Sequence, residues 1–171
     1  KLELGVRVRE YRQLPPHDLV LFDTHPLVMS RILGDRLTRR QQARYERYRS
    51  GPGVFKIDLV VDGEIPWKNS QVSQASTVHL GGSAAEIADV ERAVSQGLMP
   101  IKPFTLVTQQ AAADPTRAAG SLQPISAYAH VPNGYDGDVS FSILQQIERF
   151  APGARDRVLS IERTSPGDLA R

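Results

Sequence analysis

One stretch constrains this chain more than any other: RSGPGVFKIDLVVDGEIPW, residues 49–67, reads as a turn, an alternating apolar run and a second turn. Successive side chains of a strand point to opposite faces. Phe55, Ile57 and Leu59 therefore share one face, while Val54, Lys56 and Asp58 share the other. A strand with one apolar face and one face carrying a charge pair belongs in a sheet that is covered on one side. On its other side it meets solvent or forms the wall of a polar site.

The rest of the chain supplies the partners such a sheet needs. STVHLGGSAAEIADVERAVSQG, residues 76–97, predicts a strand over Thr77–Leu80, a Gly81-Gly82 turn, and a helix. Ser83 and Glu86 have the spacing of a capping box, the inner stripe is Ile87, Val90 and Val94, and Gly97 supplies a left-handed stop. KPFTLVTQQ (102–110) and PISAYAHVPNG (124–134) read as further strands, separated by a loop marked by Asp114-Pro115 and Gly120. DVSFSILQQIERFAPG (138–153) reads as an amphipathic helix with Phe141, Leu144, Ile147 and Phe150 inward. It is capped by Asp138 or Ser140 and stopped by Pro152-Gly153, and a strand over RVLSIER and a helix start at SPGDLA follow.

The first fifty residues read differently. HDLVLFDTHP (17–26) holds a continuous apolar run, Leu19–Phe22, the pattern of a strand buried on both faces. From Leu27 to about Tyr48 the period is helical, with Leu33, Leu37, Gln41, Tyr45 and Tyr48 on one stripe and Gly34 as a point of division. The opposite face carries Arg36, Arg39, Arg40, Arg44 and Arg47. With a net charge of only +2 the chain lacks the excess expected of a nucleic-acid-binding domain, so no nucleic-acid partner is expected and these arginines read as a solvated face.

Runs of strands with few helices between them predict an α+β fold: a mixed, mostly antiparallel sheet with helices packed on one side. A length of 171 residues suits a single domain spanning residues 1–171. The chain has no cysteine, which excludes disulfides, zinc-thiolate sites and cysteine nucleophiles. The four histidines, His17, His25, His79 and His130, have no ligand spacing, so no metal is expected. There is no GxSxG elbow, no GxGxxG and no Walker lysine. No apolar run approaches the ~18 residues of a membrane span, and a cytoplasmic location is expected.

Several strings carry a further signal. RYRSGPGVFKIDLVVDGEIPW, TVHLGGSAAEIADVE, DPTRA, AYAHVPNG and IERFAPGARDRVLS together resemble the middle of a phytoene desaturase-like (phytoene dehydrogenase-like), FAD-dependent oxidoreductase of the flavin amine oxidase superfamily. The likeness runs from about residue 14 to the end. Such enzymes open with a GxGxxG flavin-binding unit and close with a second glycine-rich flavin segment, and neither string occurs in this sequence. The resemblance implies a substrate-binding domain, with DLVLFDTHP as the strand by which the parent chain leaves its flavin domain. FAD would be held by other segments of that parent, which could be membrane-peripheral, and the isolated piece would be inactive and prone to self-association through the surface those segments cover.

Within the resemblance, the sheet roofs the flavin and lines a tunnel for a hydrophobic substrate, and the reaction is hydride transfer to FAD. Lys56 then has two readings: a strand lysine paired with Asp58 or a neighbouring strand, or a cation near the reactive nitrogen of the flavin. Trp67, His79, Tyr128 and His130 are the candidates for the substrate wall, because such rings join a wide apolar body to a polar handle. The loop departs from the family pattern, with Ala119, Gln123 and Ser126 where Pro, His and Trp are usual, so substrate identity is open. The alternative class of function is a freestanding ligand-binding or protein-interaction module without catalysis.

Overall fold

In the first residues of the chain, helix signals decide what forms. The computed structural model describes residues 2–169 and divides into two compact units, Lys1–Ser50 and Gly51–Arg171. In the first, helix α1 (Pro26–Leu33) starts where the His25 ring accepts from the Leu27 N–H and Pro26 supplies a preset φ. Gly34, at φ +48°, ends it, and a single 3-10 turn follows. Helix α2 (Arg39–Glu46) starts at a reciprocal capping box between Thr38 and Gln41. The helical stretch read from Leu27 to Tyr48 is thus two short helices divided at Gly34.

Leu19–Phe22 corrects an expectation. The segment pairs with no strand among the described residues, and Leu19 and Leu21 are 75% and 87% exposed rather than covered. Apolar side chains alone do not make a strand, because its N–H and C=O groups need a neighbouring ladder. The 17–26 segment therefore has the composition of a buried strand without the partners of one.

The second unit is an α+β fold. Its sheet contains β1 (Gly53–Asp62), β2 (Thr77–Leu80), β3 (Thr105–Gln109), β4 (Leu122–Val131) and β5 (Val158–Thr164), in the order β2-β3-β4-β1-β5. All four pairings are antiparallel. The longest ladder joins β1 to β4, from Gly53 opposite Val131 to Asp62 opposite Leu122. Between Val60 and Val61 the β1–β5 register shifts, leaving Leu159 as an extra residue and blurring the alternation of β5.

One face of this sheet is the core. Phe55, Ile57, Leu59 and Val61 of β1 are buried with Ile125, Ala127, Ala129 and Val131 of β4, Val107 of β3 and Leu80 of β2. Helix α5 (Ser140–Phe150) contributes Ile143 and Ile147 to the same cluster. Here the expected stripe is corrected: Phe141 is 63% exposed, whereas Ile143 is fully buried. The inward face also takes two polar residues, Ser140 and Gln146, and Gln146 donates from Nε2 to the Pro103 carbonyl at 2.9 Å. The N-cap position falls on Val139 rather than on Asp138 or Ser140, and Asp138, one residue before it, accepts from the Ser140 N–H.

Helix α3 (Ala84–Ser95) follows β2 through Gly81-Gly82, and Gly97 at φ +84° ends it as expected. Ser83 accepts from the Glu86 N–H, but the capping box is half made, because the Glu86 carboxylate turns instead to Arg149 of α5 at 2.6 Å. The loop before β4 holds a single helical turn, α4 (Gln110–Ala113), and α6 (Pro166–Leu169) forms where SPGDLA predicts it, Ala170 lying outside the described residues.

Candidate functional site

The antiparallel register sets the second face of the sheet, because residues directly opposite one another project to the same side. His79 of β2 lies opposite Leu106 of β3, Leu106 opposite Tyr128 of β4, Tyr128 opposite Lys56 of β1, and Lys56 opposite Thr164 of β5. One row thus crosses all five strands. With strands spaced about 4.8 Å apart, His79 and Lys56 stand about 14 Å from each other along it.

The adjacent row is polar throughout: Thr77, Thr108, Ser126, Asp58 and Glu162. On the other side of the first row, His130 lies opposite Val54, and its ring centroid is 6.2 Å from that of Tyr128. Phe104 closes the end of the face near β2, 5.5 Å from the His79 ring. The face therefore grades from aromatic and apolar at His130, Tyr128 and Leu106 to hydroxyls and carboxylates one row away.

Within this face Lys56 and Asp58 are paired. Lys56 Nζ lies 2.7 Å from Asp58 Oδ2, two residues along the same strand and on the same side. The Ser126 hydroxyl donates to the other Asp58 oxygen, and the Gln110 amide lies 2.9 Å from that hydroxyl. Partial burial works against ionising Asp58, but the hydrogen bonds from Lys56 and Ser126, with the lysine's charge, outweigh it and hold the carboxyl below its ordinary range. His130 donates from Nδ1 to the Glu91 carboxylate of α3 at 3.0 Å, which ties that helix to the margin of the face.

Of the residues singled out in the sequence, Lys56, Tyr128 and His79 fall on one row and His130 one pair further along. Trp67 does not join them. It is buried in the core on the α5 side, where its indole N–H donates to Gln109 Oε1 at 2.8 Å. Gln109 in turn donates to the Val72 and Ala75 carbonyls. A lone tryptophan reads equally as wall or core, and the deciding partner lies 42 residues away.

Asp58, Ser126 and Gln110 form the part of the site that sequence reasoning missed as a unit. Only the alternation that places Asp58 beside Lys56 gave a signal for it. Ser126 has a carboxylate but no imidazole beside it, so the set is no Ser-His-Asp triad. No group of three or more metal-ligating side chains occurs among the described residues. No helix among them is long and apolar enough to cross a membrane.

The Gly81-Gly82 turn could be mistaken for an anion cradle. Gly82 sits at φ +82°, and the Glu86 side chain folds back over it with Arg149 behind. Ser83 already occupies the first turn of α3, so the helix end carries its own carboxylate. The described residues accordingly contain no cradle for a dinucleotide phosphate at this turn. What the fold and the face define is an antiparallel α+β unit with one sealed and one half-buried sheet surface. No family model and no curated protein matches the chain.

Proposed function

We propose that this chain is the substrate-facing part of a phytoene desaturase-like, FAD-dependent oxidoreductase, with the flavin held by other segments of the parent protein. The observation that carries the reading is the cross-strand row His79, Leu106, Tyr128 and Lys56 on the open face. The aromatic and apolar part of that row, from His79 to Tyr128, is about 10 Å long and suits an elongated hydrophobic molecule better than a compact polar one. The motif strings given above support the same reading, as does the apolar Leu19–Phe22 run, which has the composition of a strand and no partner strand among the described residues.

FAD, when bound to the parent, supplies the hydride acceptor. The filled Gly81-Gly82 turn offers no phosphate cradle. What these residues do is bind and polarise. Tyr128 and Leu106 form the apolar floor, and Asp58 fixes the Lys56 ammonium at one end of the row. A fixed cation beside a surface where electron density arrives lowers the energy of that charge without having to reorganise.

The test compares visible absorbance spectra of the parent protein and of the 171-residue chain incubated with FAD. A flavin spectrum retained by the parent and absent from the short chain is the expected result. A parent that is colourless and cannot be reconstituted would overturn the reading and leave a binding module without catalysis.

A further inference from the structure

The outer side of α5 carries a second concavity, across the sheet from Lys56. Helix α5 packs Ile143 and Ile147 onto the apolar face of the sheet, and its other side, with the approach to β3, encloses a cleft of about 450 Å³. That volume lies in the range of small-molecule sites. Ile101 and Phe141 form its apolar walls, and Lys102, Gln145, Gln146 and Arg149 supply its polar groups.

Two of these groups have chemistry to spare. Gln146 is 2% exposed, and its Nε2 is committed to the Pro103 carbonyl. Its Oε1 accepts no hydrogen bond, yet no fully occluded side-chain oxygen among the described residues lacks a partner. The oxygen is therefore not fully occluded, and Gln146 lines the cleft. Lys102 has no ion pair among the described residues, and its charge reaches Glu86 only through space. Arg149 is already engaged by Glu86 through both terminal guanidinium nitrogens, at 2.6 and 3.3 Å, and adds little net charge.

We propose that this cleft binds a small amphiphile whose apolar chain lies between Ile101 and Phe141 and whose head carries a carboxylate beside a hydrogen-bond donor. The carboxylate meets Lys102, and the donor meets the Gln146 carboxamide oxygen. The large hydrophobic side chains exposed in the cleft, Ile101 and Phe141, are those such a chain would cover. The site is independent of the flavoenzyme reading, because it uses none of the residues of the open face.

The experiment titrates the chain with three ten-carbon probes, α-hydroxydecanoate, decanoate and decyltrimethylammonium, by calorimetry and amide chemical-shift mapping. Saturable binding in the order hydroxy acid, plain acid, cation is expected, with shifts centred on residues 98–102 and the exposed side of α5. Lys102→Gln, an exposed change that breaks no ion pair, should weaken both acids about tenfold and leave the cation unaffected. Phe141→Ser should weaken all three. Equal affinity for the two acids would remove Gln146 from the site and overturn the donor in the proposed head. Unchanged acid binding in Lys102→Gln, preference for the cation, or no saturable binding would overturn the proposal as a whole.

Discussion

Lys56 and Asp58 lie on the same side of β1 and meet at 2.7 Å, on the open rather than the sealed face of the sheet. Each side chain is a little over a third exposed, so solvent screens the pair and its net contribution is of the order of 0.5–1 kcal/mol. Asp58 ionises below its ordinary range in the folded chain, so protonating it costs more there than in the unfolded chain. Its stabilisation is present above about pH 4 and is lost as pH falls through the folded value. Asp58→Asn should therefore be less stable than the wild type in urea at pH 7, with the gap closing as the pH falls below the ordinary aspartate range. A gap that persisted at the lowest pH would mean that the carboxylate's charge is not what stabilises it.

In the parent enzyme of the proposed reading, Lys56→Met should slow flavin reduction while leaving the melting temperature within a few degrees. The methionine keeps the chain's length and apolar stem but removes the cation. The single-turnover rate of flavin bleaching checks it. Unchanged reduction kinetics would take Lys56 out of the chemistry and leave it as the partner of Asp58.

How much of this was legible in the sequence depended on how far apart the deciding partners lie. The two faces of β1 were readable because alternation is local. The row joining His79 to Lys56 was not, because it depends on the register of four strands. The sequence places helix α5 and the inward residues Leu144, Ile147 and Phe150, but not the phase of its first turn, where Phe141 faces solvent and Ile143 the core. Phe141 was the largest apolar side chain near its start, while the buried Ser140 and Gln146 satisfy themselves with groups from elsewhere in the fold: the Arg163 guanidinium donates to Ser140, and Gln146 donates to the Pro103 carbonyl. The Ser83–Glu86 capping spacing was real, yet the carboxylate went to Arg149, 63 residues away.

The phase of α5 gives a direct check. Ile143→Ala removes a fully buried side chain packed against the sheet and should cost about 2–4 kcal/mol. Phe141→Ala, nearer the start of the same helix, should change stability by no more than about 0.5 kcal/mol, since its ring stands mostly in solvent with Arg155 beside it. Chemical denaturation of both variants decides between this helix phase and the one that places Phe141 inward.

Trp67 and Gln109 form a buried polar pair that a fourth measurement can read. Gln109→Leu would strand the indole N–H and the Ala75 carbonyl, while the Val72 carbonyl keeps its bond from the Ala75 N–H. Each unmet group costs about 1–3 kcal/mol where water cannot reach it. The variant should lose several kcal/mol of stability, if it folds at all. Gln109→Glu, which keeps an acceptor for the indole but loses the donor to the two carbonyls, should fall between it and the wild type. Because Trp67 is the only tryptophan, its fluorescence reports both unfolding curves directly.

The two units should also differ in how readily their backbones open. Among the described residues, Ile32 is the only buried hydrophobic side chain before Gly51, whereas the sheet unit holds the whole of the main core cluster. Opening free energy follows the apolar contact that must be broken, and a segment with little of it exchanges its amide hydrogens first. Amides of Leu19–Phe22, which have no ladder partner among the described residues, should exchange at close to the rate of an unstructured peptide. Those of α1 should be modestly protected, and those in the middle of β1 and β4 should exchange only with global unfolding of the sheet unit. Hydrogen-exchange mass spectrometry of the 171-residue chain and of the parent protein then tests the origin of the exposed apolar run. Strong protection of Leu19–Phe22 in the parent, set against its absence in the short chain, is the result expected if another segment of the parent pairs with it. Equal exchange in both would mean that the run is a surface loop in its own right, and would remove it from the support for the flavoenzyme reading.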